Sequence, residues 1–84
     1  MEAQALMNHI IHNTATKVNN KPMCISGYAG DNIISNIQGA MVLICKDKVY
    51  VSKATKDKAR VNYTFDYTEV KSIIKTVLYV KNNK

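Results

Sequence analysis

The sequence predicts a small α+β protein in which an N-terminal amphipathic helix packs on a bent antiparallel sheet or a small β-barrel. The chain has 84 residues, enough for one domain spanning residues 1–84. Its hydrophobic fraction of 46% against 21% charged residues is typical of a globular protein. Apolar residues recur at helical spacing near the N-terminus and at alternating spacing from residue 23 onward, so a helix followed by strands is expected.

The first segment, residues 2–18, has the pattern of an amphipathic helix. Its apolar positions lie near one stripe: Ala3, Leu6, Met7, Ile10, Ile11 and Val18. Pro22 has no amide hydrogen and disfavours a helical Lys21, so the helix is expected to end before them.

Residues 23–67 favour strands. Short strands are expected at residues 23–26, 33–37, 41–45 and 49–52. Residues 27–32 are expected to form a turn, and the continuous apolar run 41–45 indicates burial on both faces of its strand. Residues 61–68 alternate strictly, with Val61, Tyr63, Phe65 and Tyr67 on one face, which predicts a strand between core and water.

The C-terminal segment, residues 68–80, is ambiguous between helix and strand. Val70, Ile73, Ile74 and Val77 have helical spacing, and Asp66 with Glu69 could form a capping box. These residues are also good strand formers, so we favour a turn or short helical start followed by a strand.

Two stretches resemble the bacterial pleckstrin-homology-like domains. Residues 39–53 are similar to the core hairpin of that family, with Lys46-Asp47-Lys48 at its turn, and residues 65–73 look like the next strand. The resemblance covers about residues 23–76 and implies a seven-stranded fold closed by a C-terminal helix, with a lipid-binding role. A five-stranded barrel of the Sm or SH3 type with a leading helix fits the order of elements about as well.

A cytoplasmic protein is the default interpretation. No apolar run approaches the roughly 18–20 residues that span a bilayer, and residues 1–4 lack the pattern of a secretory signal. Cys24 and Cys45 are expected to be reduced and to lie in strands.

The sequence does not predict an enzyme. None of the six carboxylates stands in a paired motif with a candidate base. His9 and His12 have a spacing that can bind a metal, but no supporting ligand cluster follows, so two solvated histidines are expected. No catalytic residue, metal site or cofactor is therefore assigned, and Gly27 and Gly30 are read as turn residues rather than a phosphate loop.

Basic charge is the feature that points to a partner. Residues 1–45 carry no net charge, and residues 46–84 carry the whole formal charge of +6. The candidate residues for an anion or partner are Lys46, Lys48, Lys53, Lys56, Lys58 and Arg60. A solvated, solubilising loop is the competing interpretation of the cluster.

These observations favour a non-enzymatic binding module, with a protein as its partner. In that hypothesis a sheet edge or a helix face receives the partner. The alternatives are a nucleic-acid-binding domain that contacts the phosphate backbone and a domain that binds anionic membrane surfaces. A chain with so small a core is also compatible with a homodimer.

Overall fold

The computed structural model describes residues 2–53 and 62–82 as two helices and seven strands. In chain order these are α1 (Ala3–Thr14), β1 (Lys17–Val18), β2 (Lys21–Pro22), β3 (Ile25–Ala29), β4 (Asn32–Ile37), β5 (Ala40–Ile44), β6 (Lys48–Lys53), β7 (Asn62–Asp66) and α2 (Val70–Asn82). The predicted α+β class is confirmed.

The main sheet is an open antiparallel meander of five strands in the order β3-β4-β5-β6-β7. Strands β1 and β2 form a separate two-stranded sheet. Because β3 and β7 stand at opposite edges of the main sheet, it is not closed into a barrel, and the open-sheet alternative is the one observed.

Both helices lie on one face of the sheet and run side by side in the same direction. Helix α1 packs against β4 and α2, and α2 packs against β5, β6 and β7. The C-terminal turns of the helices meet where the Lys81 ammonium donates to the Thr14 carbonyl, 2.7 Å away. A cation at this position satisfies a free carbonyl at the end of α1 and complements the helix dipole.

The core fills the space between the helices and the covered face of the sheet. Its fully or nearly fully buried apolar residues are Leu6, Met7, Ile10, Ile33, Ile37, Ala40, Val42, Ile44, Val49, Val51, Ile73, Val77 and Val80. The sheet contributes alternate positions of β4, β5 and β6, as the two-residue period of a strand requires.

Helix α1 ends four residues earlier than the sequence predicts. The buried Thr14 hydroxyl donates to the Ile10 carbonyl at 2.6 Å, and Ala15 is already extended. Such side-chain bonds compete with helical backbone bonds. Val18 therefore lies in β1 rather than on the helix stripe, and it is exposed.

The first long strand begins and ends later than predicted. It runs from Ile25 to Ala29, so the expected strand 23–26 and turn 27–32 were both displaced. Gly27 is paired with Ile34 inside the sheet, and only Gly30 and Asp31 form the turn. Gly30 has a φ of +66°, which favours glycine, whereas the backbone of Gly27 does not enter the left-handed region.

Strand β5 is buried on one face only. Ala40, Val42 and Ile44 face the helices, while Met41 and Leu43 lie half-buried on the opposite face. The expectation of two buried faces was wrong because both helices cover the same side of the sheet.

The C-terminal segment is a helix, and the favoured strand was wrong. Ile73, Val77 and Val80 recur at helical spacing and are buried against the sheet. Packing of this amphipathic face outweighs the strand preference of the individual residues. The Glu69 carboxylate accepts from the Asp66 amide at 2.8 Å, but Asp66 ends β7 and Glu69 directly precedes α2, so this bond closes the β7–α2 turn and the anticipated capping box is not formed.

Strand β7 has the predicted alternation, with Tyr63 and Phe65 packed against the core. It is shorter than the expected 61–68, since Tyr67 and Thr68 form a turn and residue 61 lies outside the described ranges. Neither α1 nor α2 is long and apolar enough to cross a membrane.

Candidate interaction surfaces

The predicted basic cluster is divided between two ends of the sheet. Lys46 belongs to the β5–β6 turn and Lys48 begins β6, whereas Lys53 is the last residue of β6. Lys48 and Lys53 are five residue steps apart along the strand, about 17 Å at 3.4 Å per step. Lys56, Lys58 and Arg60, the rest of the predicted cluster, lie outside the described residues.

Lys48 is engaged by a neighbouring strand. Its ammonium donates to the Asp66 carboxylate, and the two residues are directly opposite each other on β6 and β7. The hydrogen bond to Asp66, reinforced by the negative charge, raises the pKa of Lys48 above its ordinary value of 10.5. Lys48 is therefore a neutralised position and offers an anionic partner less than a solvated lysine does.

The described carboxylates gather at one end of the sheet, although Lys46, Lys48 and Lys71 lie at that end too. We call the end of the sheet with the β3–β4 and β5–β6 turns the acidic end, and the opposite end the basic end. The acidic end carries five carboxylates among the described residues, in the two turns, at the end of β7 and before each helix: Glu2, Asp31, Asp47, Asp66 and Glu69. The basic end carries Lys17, Lys21, Lys53 and Lys81.

The histidines and cysteines do not form a ligand set. His9 and His12 are exposed on α1, and the His12 Nε2 atom lies 3.5 Å from the Lys17 ammonium. Cys24 and Cys45 are free thiols. Among the described residues, no group of three or more histidine, cysteine or acidic side chains is placed to hold a metal ion.

Strand β3 is an exposed edge without charge. Its sequence is Ile-Ser-Gly-Tyr-Ala, and the side chains of Ile25 and Tyr28 are 79% and 74% exposed. Most edge strands carry a lysine, a proline or a bulge that prevents another strand from pairing with them. None of these devices interrupts the five residues of β3.

The β3–β4 turn determines which backbone groups of β3 face solvent. A two-residue turn with a positive φ at Gly30 and none at Asp31 is a type II′ turn, whose flanking residues, Ala29 and Asn32, form a hydrogen-bonded pair. Hydrogen-bonded pairs alternate along an antiparallel ladder, so Gly27 also directs its amide and carbonyl toward β4. Ser26 and Tyr28 therefore direct theirs outward, toward the free edge.

Side-chain hydrogen bonds hold this edge in place. The Ser26 and Ser35 hydroxyls lie 2.7 Å apart, and Ser35 is buried beneath the helices. The Tyr28 hydroxyl donates to the Gln4 side-chain oxygen on α1, 3.1 Å away. The edge is thus tied to both β4 and α1, and its outward backbone groups are held in strand geometry.

A second surface is the face of the sheet opposite the helices, which we call the open face. Its half-buried apolar side chains are Ile34, Met41, Leu43 and Tyr50, and Ile25 continues them onto β3. Lys48 and Asp66 are the charged residues that the described register places on this face, and they neutralise each other. Apolar character without net charge is typical of interface cores.

A sheet edge was expected from the sequence as one possible binding surface, but neither β3 nor the open face was identified. Gly27 was interpreted as a turn residue, so the edge strand that contains it was not predicted. The run 41–45 was interpreted as a strand buried on both faces, so an exposed face was not expected there. Residues 22–30 carry no charge, but residues 32–45 carry none either, so charge alone did not distinguish the edge strand.

No protein-family model, curated protein or solved structure matches the chain.

Proposed function

We propose that the protein is a non-enzymatic interaction module, acting in the cytoplasm, that accepts an extended segment of a protein partner as a new strand beside β3. The observation that carries the proposal is the uncharged, exposed edge with the outward backbone groups of Ser26 and Tyr28. Strand addition supplies affinity through main-chain hydrogen bonds and specificity through alternate side chains.

The β3 edge is a better acceptor than the β7 edge. Strand β7 ends at Asp66, which is already paired with Lys48, and α2 packs against β7. An incoming strand at β7 would meet that charged pair, whereas at β3 it meets Ile25, Gly27 and Ala29 on the open face. Charged edge residues oppose strand addition.

Site-specific photocrosslinking tests the proposal. A benzophenone amino acid replaces Tyr28 on the edge or, as the matched control, Tyr79 on α2. Both positions are exposed aromatic residues, at 74% and 60%. After irradiation in native cells, mass spectrometry identifies the protein joined to the chain and the residues that were joined.

We expect one defined protein to be joined at position 28 through an extended segment, and a second copy of this chain counts as such a protein. The same protein is not expected to be joined at position 79. The same set of proteins at both positions contradicts the proposal, as does crosslinking at position 79 alone. Absence of any crosslinked protein at position 28 also contradicts it.

A second candidate function is contact with a nucleic-acid backbone at the basic end. Lys17, Lys21, Lys53 and Lys81 lie at that end, while the five described carboxylates lie at the other. Because no described carboxylate lies at the basic end, none offsets the positive field of these lysines locally.

Salt-dependent binding of a labelled oligonucleotide tests this candidate. The double variant Lys21→Glu, Lys53→Glu alters the basic end, and Lys46→Glu, Lys71→Glu makes the same charge change near the acidic end. We expect the first pair to weaken binding at least about tenfold more than the second, and wild-type affinity to fall steeply between about 50 and 200 mM salt. Equal losses, salt-independent binding, or binding to phosphatidylserine vesicles but not to the oligonucleotide each contradict it.

A further inference from the structure

We propose that the strand accepted by β3 is β3 of a second copy of this chain, paired antiparallel about a two-fold axis through Gly27. The inference rests on the proposed strand addition and names its partner.

The backbone of β3 can bond to itself in this register. Antiparallel pairing about Gly27 places Ser26 opposite Tyr28 of the second copy, and Tyr28 opposite its Ser26. These two residues direct their amides and carbonyls outward, so each pair exchanges two backbone hydrogen bonds. Four new backbone hydrogen bonds form in total. Gly27 meets Gly27 at a non-hydrogen-bonded position, where the two Cα atoms approach to about 4.5 Å.

The side chains on both faces of the joined edge are complementary in size. On the helix-facing side, the small Ser26 stands opposite the large Tyr28 twice. On the open face, Ile25 stands opposite Ala29 twice, and the central glycines leave room for the isoleucines. Ile25 and Tyr28, which are 79% and 74% exposed in the single chain, both gain neighbours in the pair. Cross-strand pairs of this kind stabilise a sheet.

Charge favours the antiparallel arrangement. Two chains with a formal charge of +6 repel each other, but β3 itself is uncharged. Asp31 follows β3 at the acidic end, and Lys21 precedes it at the basic end; both side chains are exposed. Antiparallel pairing brings the acidic end of each copy beside the basic end of the other, so Asp31 approaches Lys21 twice.

The contact between the two edges is small. Two five-residue strands joined edge to edge bury less than the roughly 1,200–2,000 Å² of a standard interface. The pair should therefore be in equilibrium with single chains, with a dissociation constant in the range of about 1 to 100 µM. The product is a ten-stranded sheet with four helices on one face and a continuous open face on the other.

Sedimentation equilibrium of the purified chain provides the first measurement. Between about 1 µM and about 1 mM we expect the mean mass to rise from one chain toward two, and not beyond, because the described strands of each copy offer one such edge. A mass of one chain throughout overturns the inference. Crosslinking at position 28 to another protein would then still support the proposed function, so the two failures are distinguishable.

Charge variants at the two-fold axis test the register. A Cβ built on Gly27 has no atom within 4 Å and its φ is outside the left-handed region, so substitution there preserves the single chain. In the dimer, Gly27→Lys or Gly27→Glu places two like charges directly opposite each other, which destabilises the pair. We expect each variant to be monomeric and their equimolar mixture to form a dimer again.

Two controls complete the design. Gly27→Ala adds a side chain without charge and should leave the dimer intact. Thr64→Lys and Thr64→Glu make the same charge changes on the open face of β7, at the other edge of the sheet, and should also leave it intact. Dimerisation that survives the Gly27 charge variants, is lost equally in the Thr64 variants, or is not restored in the mixture overturns the register.

Discussion

Tyr67 illustrates how a single residue outside any strand holds two parts of the sheet together. It follows β7, and its hydroxyl donates to the Cys45 carbonyl at the beginning of the β5–β6 turn, 2.6 Å away. Burial, together with the charges of Cys45 and Asp47, raises the pKa of Tyr67 above its ordinary value of 10.0. The folded chain therefore favours the protonated phenol.

This shift predicts a pH dependence of stability. Below pH 10 the Tyr67 phenol is protonated in both the folded and the unfolded chain. As pH rises above 10, the unfolded chain releases the proton first. The free energy of unfolding therefore decreases until the pKa of Tyr67 in the folded chain is passed. Tyr67→Phe removes the hydrogen bond, at a cost of about 0.5–1.5 kcal/mol near neutral pH. It also removes the titration, so urea unfolding between pH 8 and about pH 11 should show a smaller alkaline loss in the variant. A parallel decline in both proteins would contradict the prediction.

The glycines show how residue type and residue role can differ. Gly30 and Gly39 occupy turns with φ of +66° and +98°, as a sequence interpretation expects of glycine. Gly27 is also a glycine that predicts a turn from the sequence, but it is paired with Ile34 inside the sheet. Only the register of β3 on β4 distinguishes them, and register depends on partners that a local sequence pattern does not contain.

At the scale of elements, α2 carries the most information about how the fold is stabilised. We predict that Val77→Ala, which shortens a fully buried side chain between α2 and the sheet, lowers the free energy of unfolding by about 2–3 kcal/mol. Lys75→Ala, on the exposed side of the same helix, should change it by less than about 0.5 kcal/mol. Urea unfolding measures both, and similar losses would contradict the assigned helix face.

Some elements could be predicted from the sequence and others could not. The stripe of α1 and the alternation of β7 identified those elements, because each has one covered face and a clear period. The sequence of α2 is rich in β-branched residues, whose preference for strands competes with their helical spacing. Its conformation depends on the uncovered face of the sheet beneath it, which is assembled from residues 33–51.

At the scale of the whole molecule, the distribution of charge changes meaning on folding. The sequence places the whole excess of positive charge in residues 46–84. The folded chain places the described carboxylates at one end of the sheet and Lys17, Lys21, Lys53 and Lys81 at the other. Lys17 and Lys21 belong to the neutral half of the sequence. A site at the basic end therefore could not be predicted from a count along the chain.

The helix layer has a consequence for synthesis of the chain. Helices α1 and α2 lie side by side although they are separated by the entire sheet in sequence, and Lys81 reaches Thr14 across 67 positions. Contacts between such distant residues slow folding. While the ribosome translates the strands, the apolar face that α2 covers has no helix to shield it. We infer that the nascent chain is most prone to aggregation in the interval between translation of β6 and release of α2 from the ribosomal exit tunnel.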